Sequence, residues 1–319
     1  MVTKNSRPGT IRVGISGWTY APWRGVFYPK GLPQARELAY AGERFSTIEI
    51  NGTFYCMQRP SSFASWAAAT PPDFVFSVKG SRFITHMLKL RNPEQALANF
   101  FASGLLALGP KLGPILWQLP PNFSFNPPVL EAFFQLLPRT SADAAILSRR
   151  HDHRVEGRAL TEADENRPLR HAMEIRHPSF LSEEFIRLLR RYRVALVCAD
   201  TVEWPRLVDV TADFVYCRLH GSEELYASGY GPKAIATWAD RVAAWSTGNP
   251  PSGERVLPFS DFEAQPHDVY VYFDNDAKVR APVDALSLER RLAKLGIPEP
   301  PKSQNAIPAD QELSPRKVS

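Results

Sequence analysis

Residues His171–Asp200 read HAMEIRHPSFLSEEFIRLLRRYRVALVCAD, and this stretch decides the fold. It opens on a strand-like run, His171–Arg176, and closes on another, Val194–Asp200, with a helical repeat over Glu183–Tyr192 between them. Ser182 stands where a helix cap is wanted, its hydroxyl suited to accept from a first-turn N–H. The closing run, VALVCAD, is nearly continuous in apolar residues, as parallel strands covered on both faces require. Strand, helix and strand in about thirty residues form the unit of a parallel α/β fold.

The alternation continues in both directions. Further strands are expected at Ile11–Ser16, Ser46–Ile50, Phe74–Lys79 and Pro114–Leu119 before this unit, and at Phe214–His220 and Val269–Asp274 after it. Helical spacing marks Ser61–Ala69, Pro93–Leu108, Pro128–Leu137, Pro232–Trp245 and Asp284–Leu295. Prolines near several starts suit a first turn, where the missing N–H does no harm. A helix around Gln34–Ala41 is weakly marked, and Asp200 to Asp213 leaves little room for one. Eight strands in this order close into a barrel or spread into a doubly wound sheet. No GxGxxG follows the first strand, so the dinucleotide-binding sheet loses its main support. The sequence therefore predicts a single (β/α)8 TIM-type barrel over 11–297, for which about 250 residues suffice. A flexible start (1–10) and a polar, proline-rich tail (298–319) flank it. A polar excursion at 141–168 and a Pro/Gly-rich loop at 248–265 decorate it.

The start MVTKNSRPGTIRVG lacks the apolar core of a signal peptide, and no apolar run approaches the ~18 residues of a membrane span, so a cytoplasmic setting is expected. Cys56, Cys198 and Cys217 form no CxxC pair, which argues against a disulfide framework and a cysteine-rich zinc site; all three read as structural. The net charge is +5, and part of it is concentrated: from Phe74 to Pro93 there is no acid, while Lys79, Arg82, Lys89 and Arg91 stand beside His86. Such a stretch attracts anions, or is simply a solvated face.

In a barrel the carboxyl ends of the strands converge on one mouth. Here those ends carry Glu49 and Asn51, Lys79, Gln118, Glu174 and Arg176, Asp200, Arg218 and His220, and Asn275. Because side chains alternate with period two, Glu49 shares a face with Asn51, Glu174 with Arg176, and Arg218 with His220. Three readings compete for the cluster. It is a charge network holding the barrel together. It is an acid–base site, with Glu49, Glu174, Asp200 and His220 as catalytic candidates. Or the same four residues, hard and oxygen-rich, hold a divalent metal. Trp18, Tyr20, Tyr55, Tyr226 and Tyr230 in the loops above offer flat faces for a sugar or base, unless they only pack those loops down.

Several segments also resemble a known family. GISGWTYAPWRGVFYP, TIEINGTFY, FVFSVKGSRFITH, ILWQLPPNF, MEIRHPSF, YCRLHG and VYFDND, in this order from about Ile11 to Leu295, resemble the signature blocks of the YecE-like family, domain of unknown function 72. The resemblance implies a (β/α) barrel, an intracellular setting and a mouth built from the residues above; it supplies no established activity. Cys56 stands where the family often has a basic residue, and the 141–168 excursion is longer than usual.

The reading that follows is a hydrolase-like enzyme for a phosphate-bearing or nucleotide-like ligand. Glu49 or Glu174 would be the base, directly or through a metal-bound water, His220 a proton donor or ligand, and Lys79, Arg176 and Arg218 would steady negative charge, with His86 a further anion contact beside Lys79. No nicotinamide or flavin motif is present. The rivals are a nucleic-acid-binding protein using Lys79–Arg91, and a sugar-active enzyme. The last is disfavoured because Gln118, Arg218 and His220 stand where a second carboxylate would be needed.

Overall fold

Ile11 pairs with Val269 and Phe214 with Asp268, so the last strand lies between the first and the seventh and the sheet closes on itself. The computed structural model describes residues 7–221, 228–258, 261–275 and 279–297; the expected tail and most of the start lie outside them. The strands are β1 (Ile11–Ser16), β2 (Thr47–Ile50), β3 (Val75–Lys79), β4 (Leu112–Gln118), β5 (His171–Glu174), β6 (Val194–Asp200), β7 (Phe214–Leu219) and β8 (Asp268–Phe273). All pair in parallel and in chain order, which makes the (β/α)8 barrel that the alternation predicts. No helix of the described residues is long and apolar enough to cross a membrane.

Around the barrel lie α1 (Glu37–Gly42), α2 (Gly52–Tyr55), α3 (Pro60–Ala68), α4 (Glu94–Ala102), α5 (Pro127–Leu136), α6 (Ser141–Ser148), α7 (Glu183–Arg191), α8 (Pro232–Ser246) and α9 (Arg280–Lys294). Their boundaries follow local chemistry. Ser182 Oγ accepts from the Phe185 N–H at the start of α7, with Glu183 and Glu184 in its first turn and Arg190 and Arg191 in its last, matching the helix dipole. The expected helix Pro93–Leu108 stops at Ala102 because Gly104 turns left-handed (φ 113°), with Pro60 packed where a side chain would stand. The expected polar excursion contains α6, started by a reciprocal cap between Thr140 and Asp143. Between β6 and β7 there is only loop, as the short interval predicts.

Inside the barrel, Leu116, Ala172, Ala195, Val197, Phe214, Tyr216, Tyr270 and Tyr272 form one buried cluster. Small residues on β5 and β6 face tyrosines on β7 and β8, so side chains fill the interior. Gly14 is part of this fit: a Cβ there would sit 1.8 Å from the Thr47 carbonyl oxygen. Gly14→Ala is expected to lower unfolding free energy by about 1–3 kcal/mol, read as a lower urea midpoint; an unchanged midpoint would mean the β1–β2 spacing is slack.

On the outer face, His171 is fully buried beneath the helices. Its Nδ1 accepts from Trp117 Nε1 at 3.2 Å, and its Nε2 donates to the Pro138 carbonyl at 2.8 Å. Burial, despite that carbonyl, pulls its pKa down to about 4, so the ring is neutral.

Candidate functional site

The inward positions of β2, β5 and β7 and the residue just after β8 bring one arginine among three carboxylates. Arg218, fully buried, donates from Nε and Nη2 to the two oxygens of Glu49 (3.1 and 2.9 Å), from Nη1 to Glu174 (2.6 Å) and from Nη2 to Asp274 (2.7 Å). Glu49 also accepts from Ser16 Oγ (3.0 Å) and Tyr216 OH (2.5 Å). Each of its oxygens thus takes two hydrogen bonds, which saturates a carboxylate. Glu174 is held on its other oxygen by Arg176 at 2.7–2.8 Å, and the Arg176 guanidinium lies 4.1 Å from the centre of the Trp204 ring. Burial would raise the Glu174 pKa, but Arg218, Arg176 and His220 outweigh it and hold the group well below the usual carboxylate range. Asp274, similarly placed against Arg218 and with His220 Nδ1 at 3.0 Å, falls to about 2.

Above this floor opens a cavity of about 750 Å³, within the size range of small-molecule sites. Its wall comprises Tyr20, Pro22, Asn51, Phe54, Tyr55, Lys79, Arg82, His86, Gln118, Arg176 and Asp274. Lys79 is buried but for 8% of its surface, and its Nζ stands 4.4 Å from the centre of the Phe54 ring. Among the described residues it has no hydrogen-bond or ion-pair partner. Burial first, and Arg218 second, pull its pKa down to about 8 against the partial opposition of Glu49, Asp274 and Glu174. His86 bonds Thr85 Oγ1 through Nδ1 at 2.9 Å. Burial, then Arg176, Lys79 and Arg82, bring it to about 4, a neutral ring on a cationic wall.

The mouth therefore gathers Glu49, Glu174, His220, Arg218, Arg176, Lys79, Asn51, Gln118, His86, Tyr20 and Tyr55. Other expectations are corrected. Asp200 faces outward: it pairs in register with Leu219 while Ala199 pairs with Arg218, and it accepts from Arg206 (2.5 Å) and from Trp238 Nε1 on α8 (2.9 Å). Asn275 likewise turns away, donating to Ser228 O and Asp284. Tyr230 packs on Phe273, its hydroxyl accepting from the Gly221 N–H. Trp18 packs edge-on against Trp66 at 5.3 Å, off the cavity wall. Tyr226 lies outside the described residues. Cys198 and Cys217 are buried as expected of structural thiols, whereas Cys56 is exposed; none forms a disulfide.

Two contributors were not singled out from sequence, Asp274 and Tyr216, while Arg82 entered only as part of the basic stretch. The period-two rule applied backward from Arg218 gives Tyr216, and forward from the inward Tyr272 it gives Asp274.

The metal reading does not fit this floor. Arg218 occupies the space between the carboxylates, Asp200 is on the opposite face, and no group of three or more His, Cys, Asp or Glu among the described residues could hold an ion. Nor is either glutamate a ready base: Glu49 is saturated, and Glu174 is held ionised by Arg218 on one oxygen and Arg176 on the other. A larger cavity of about 1020 Å³ lies at the amino ends of the strands. Most of its arginines are engaged there: Arg170 by Asp213 and Asp268, Arg167 by Asp164 and Glu165, Arg190 by the Val210 carbonyl.

Comparison with known proteins agrees with this architecture. UPF0759 protein YecE of Escherichia coli is 28% identical over 129 residues, which is 40% of this chain and 44% of that protein. UPF0759 protein YunF of Bacillus subtilis is 28% identical over 118 residues, 35% and 41% of the two chains. The chain thus matches less than half the length of these curated relatives. A crystal structure of a DUF72 family protein from Thermotoga maritima superposes with a TM-score of 0.65 at 23% identity, covering 89% of this chain and 99% of that one. One from Enterococcus faecalis gives 0.62 at 16% identity, covering 97% and 100%. At such identities the likeness is one of fold. The family model described as "Protein of unknown function DUF72" matches residues 12–306, nearly the whole chain, and the protein belongs to that family.

Proposed function

We propose that the mouth of the barrel binds a small anionic metabolite, a phosphate-bearing one in particular, and that the protein is an enzyme acting on it. One observation carries this reading. Of the charged side chains on the cavity wall, Lys79, Arg82 and Arg176 are cations and only Asp274 is an acid, itself bound by Arg218. Arg176 is neutralised by Glu174, which leaves Lys79 and Arg82 without a carboxylate partner among the described residues. The three carboxylates of the floor balance Arg218, Arg176 and Lys79 in number, so Arg82 is the cation in excess, and a wall richer in cations than acids favours an anionic ligand. The rings of Tyr20, Phe54 and Tyr55 supply flat apolar surface beside it. Hydrolysis with Glu49 or Glu174 as base is not part of this reading, because both are committed to Arg218.

Calorimetry with glycerol 3-phosphate and a nucleoside monophosphate tests it. Saturable binding is expected, weakened about tenfold or more in Arg82→Met, the loss of one charge-assisted hydrogen bond. The salt dependence should be shallow, reflecting one or two contacts. Tight binding of oligonucleotides with a steep salt slope would instead favour a nucleic-acid partner. Absence of saturable binding to either small phosphate would overturn the proposal.

A further inference from the structure

We propose that Lys79 is a carbonyl-reactive amine, and that the ligand of the mouth is a phosphorylated aldehyde or ketone held there as a protonated imine. This rests on the anionic-ligand reading above and adds the ligand's reactive group.

Buried lysines are ordinarily paired with a carboxylate, since an isolated ammonium is poorly solvated inside a protein. Three carboxylates lie beneath Lys79, yet all three bind Arg218. The amine is left on the cavity wall against the Phe54 ring, with no hydrogen-bond or ion-pair partner among the described residues. Its backbone is fixed by Thr53, whose Oγ1 bonds both the Lys79 carbonyl (2.7 Å) and the Ile50 carbonyl (3.0 Å), tying together the ends of β2 and β3. A lysine becomes nucleophilic when desolvation and a neighbouring cation disfavour its ammonium form, and here burial and Arg218 both act in that direction. A buried acceptor without a partner among the described residues, the amide oxygen of Asn51, stands on the same wall beside Gln118.

The neutral amine of Lys79 adds to the carbonyl carbon. The C–N bond forms as the C=O π pair moves onto oxygen, which takes up the proton lost by nitrogen, giving a carbinolamine. Asn51 and Gln118 are suited to hold its hydroxyl. A second proton, equal to the one the ammonium gave up beforehand, lets the hydroxyl leave as water while the nitrogen lone pair closes the C=N bond. Ammonium and carbonyl are thereby converted into protonated imine and water, with no change of oxidation state. The positive charge stays on the same nitrogen, above the same carboxylates, and Arg82 faces the phosphate.

The test uses the full chain with dihydroxyacetone phosphate as carbonyl probe, sodium borohydride to reduce any imine to a stable amine, and peptide mapping by mass spectrometry. One reduced adduct is expected at Lys79, exceeding that at any other lysine by about tenfold or more. Lys79→Arg should bring the total label on the protein down to the background seen on surface lysines. If glycerol 3-phosphate binds the parent protein and no adduct forms at Lys79, or label spreads evenly over surface lysines, the imine proposal fails and the anion reading stands. If neither phosphate binds, both fail.

Discussion

Arg218→Met is expected to lower the unfolding free energy by about 3–5 kcal/mol, and to leave the soluble fraction sharply reduced. The substitution removes four hydrogen bonds at once and strands Glu49, Glu174 and Asp274 against each other. Arg176 still neutralises Glu174, but Glu49 is fully buried and keeps only Ser16 and Tyr216 as donors. A carboxylate left uncompensated inside a protein must either take up a proton or destabilise the fold. Urea unfolding measures the effect. A variant within about 1 kcal/mol of the parent would show that the cluster is open to water.

The second large effect is an acid transition in two limbs. His171 is neutral in the folded protein, with a pKa near 4 against 6.5 for an ordinary histidine, because burial opposes its charge. A group whose folded value is depressed contributes its stability above the ordinary value and loses it as pH falls toward the folded one. The first limb therefore runs from about pH 6.5 to 4 and removes on the order of 3 kcal/mol. Asp274 obeys the same sign: its folded value of about 2 lies below the ordinary 3.8. Its contribution, roughly 2 kcal/mol, is intact above about pH 4 and lost toward pH 2, and Glu174, depressed from its ordinary 4.5, adds to the same limb from about pH 4.5 downward. Unfolding free energies measured from pH 7 to 2 should show both limbs. His171→Gln should reduce the upper limb, which half-buried His86 shares, and Asp274→Asn the lower, which Glu174 shares. A single limb centred near pH 4, unchanged by either variant, would assign the acid sensitivity to other groups.

Much of the fold was legible because burial on both faces writes a strand such as Val194–Asp200 almost wholly in apolar residues. The same property concealed part of the site. When every position of a strand is apolar, alternation gives no sign of which parity faces inward. Asp200 ends β6 as invitingly as Glu174 ends β5, yet it falls one position out of phase with Arg218's neighbour Ala199 and meets Trp238 on α8. Asn275 fails for the same reason, and Asp274, one residue earlier, belongs to the floor. Where a strand carries polar residues two apart, as in Glu49 with Asn51 or Arg218 with His220, the pattern marks the inward face. The choice among an acid–base site, a metal and a charge network needed distances, since it turns on Arg218 filling the space between the carboxylates.

Nine of the eleven residues on the cavity wall come from before Leu119, whereas three of the four members of the charged floor come from after it. Recognition and framework are thus drawn from different halves of the polypeptide. Loops following the first three strands could be exchanged, lengthened or recoloured to receive another compound while the ionic keystone beneath stayed intact. A change to the keystone itself has no such freedom, because each partner's charge is meaningful only in the presence of the rest.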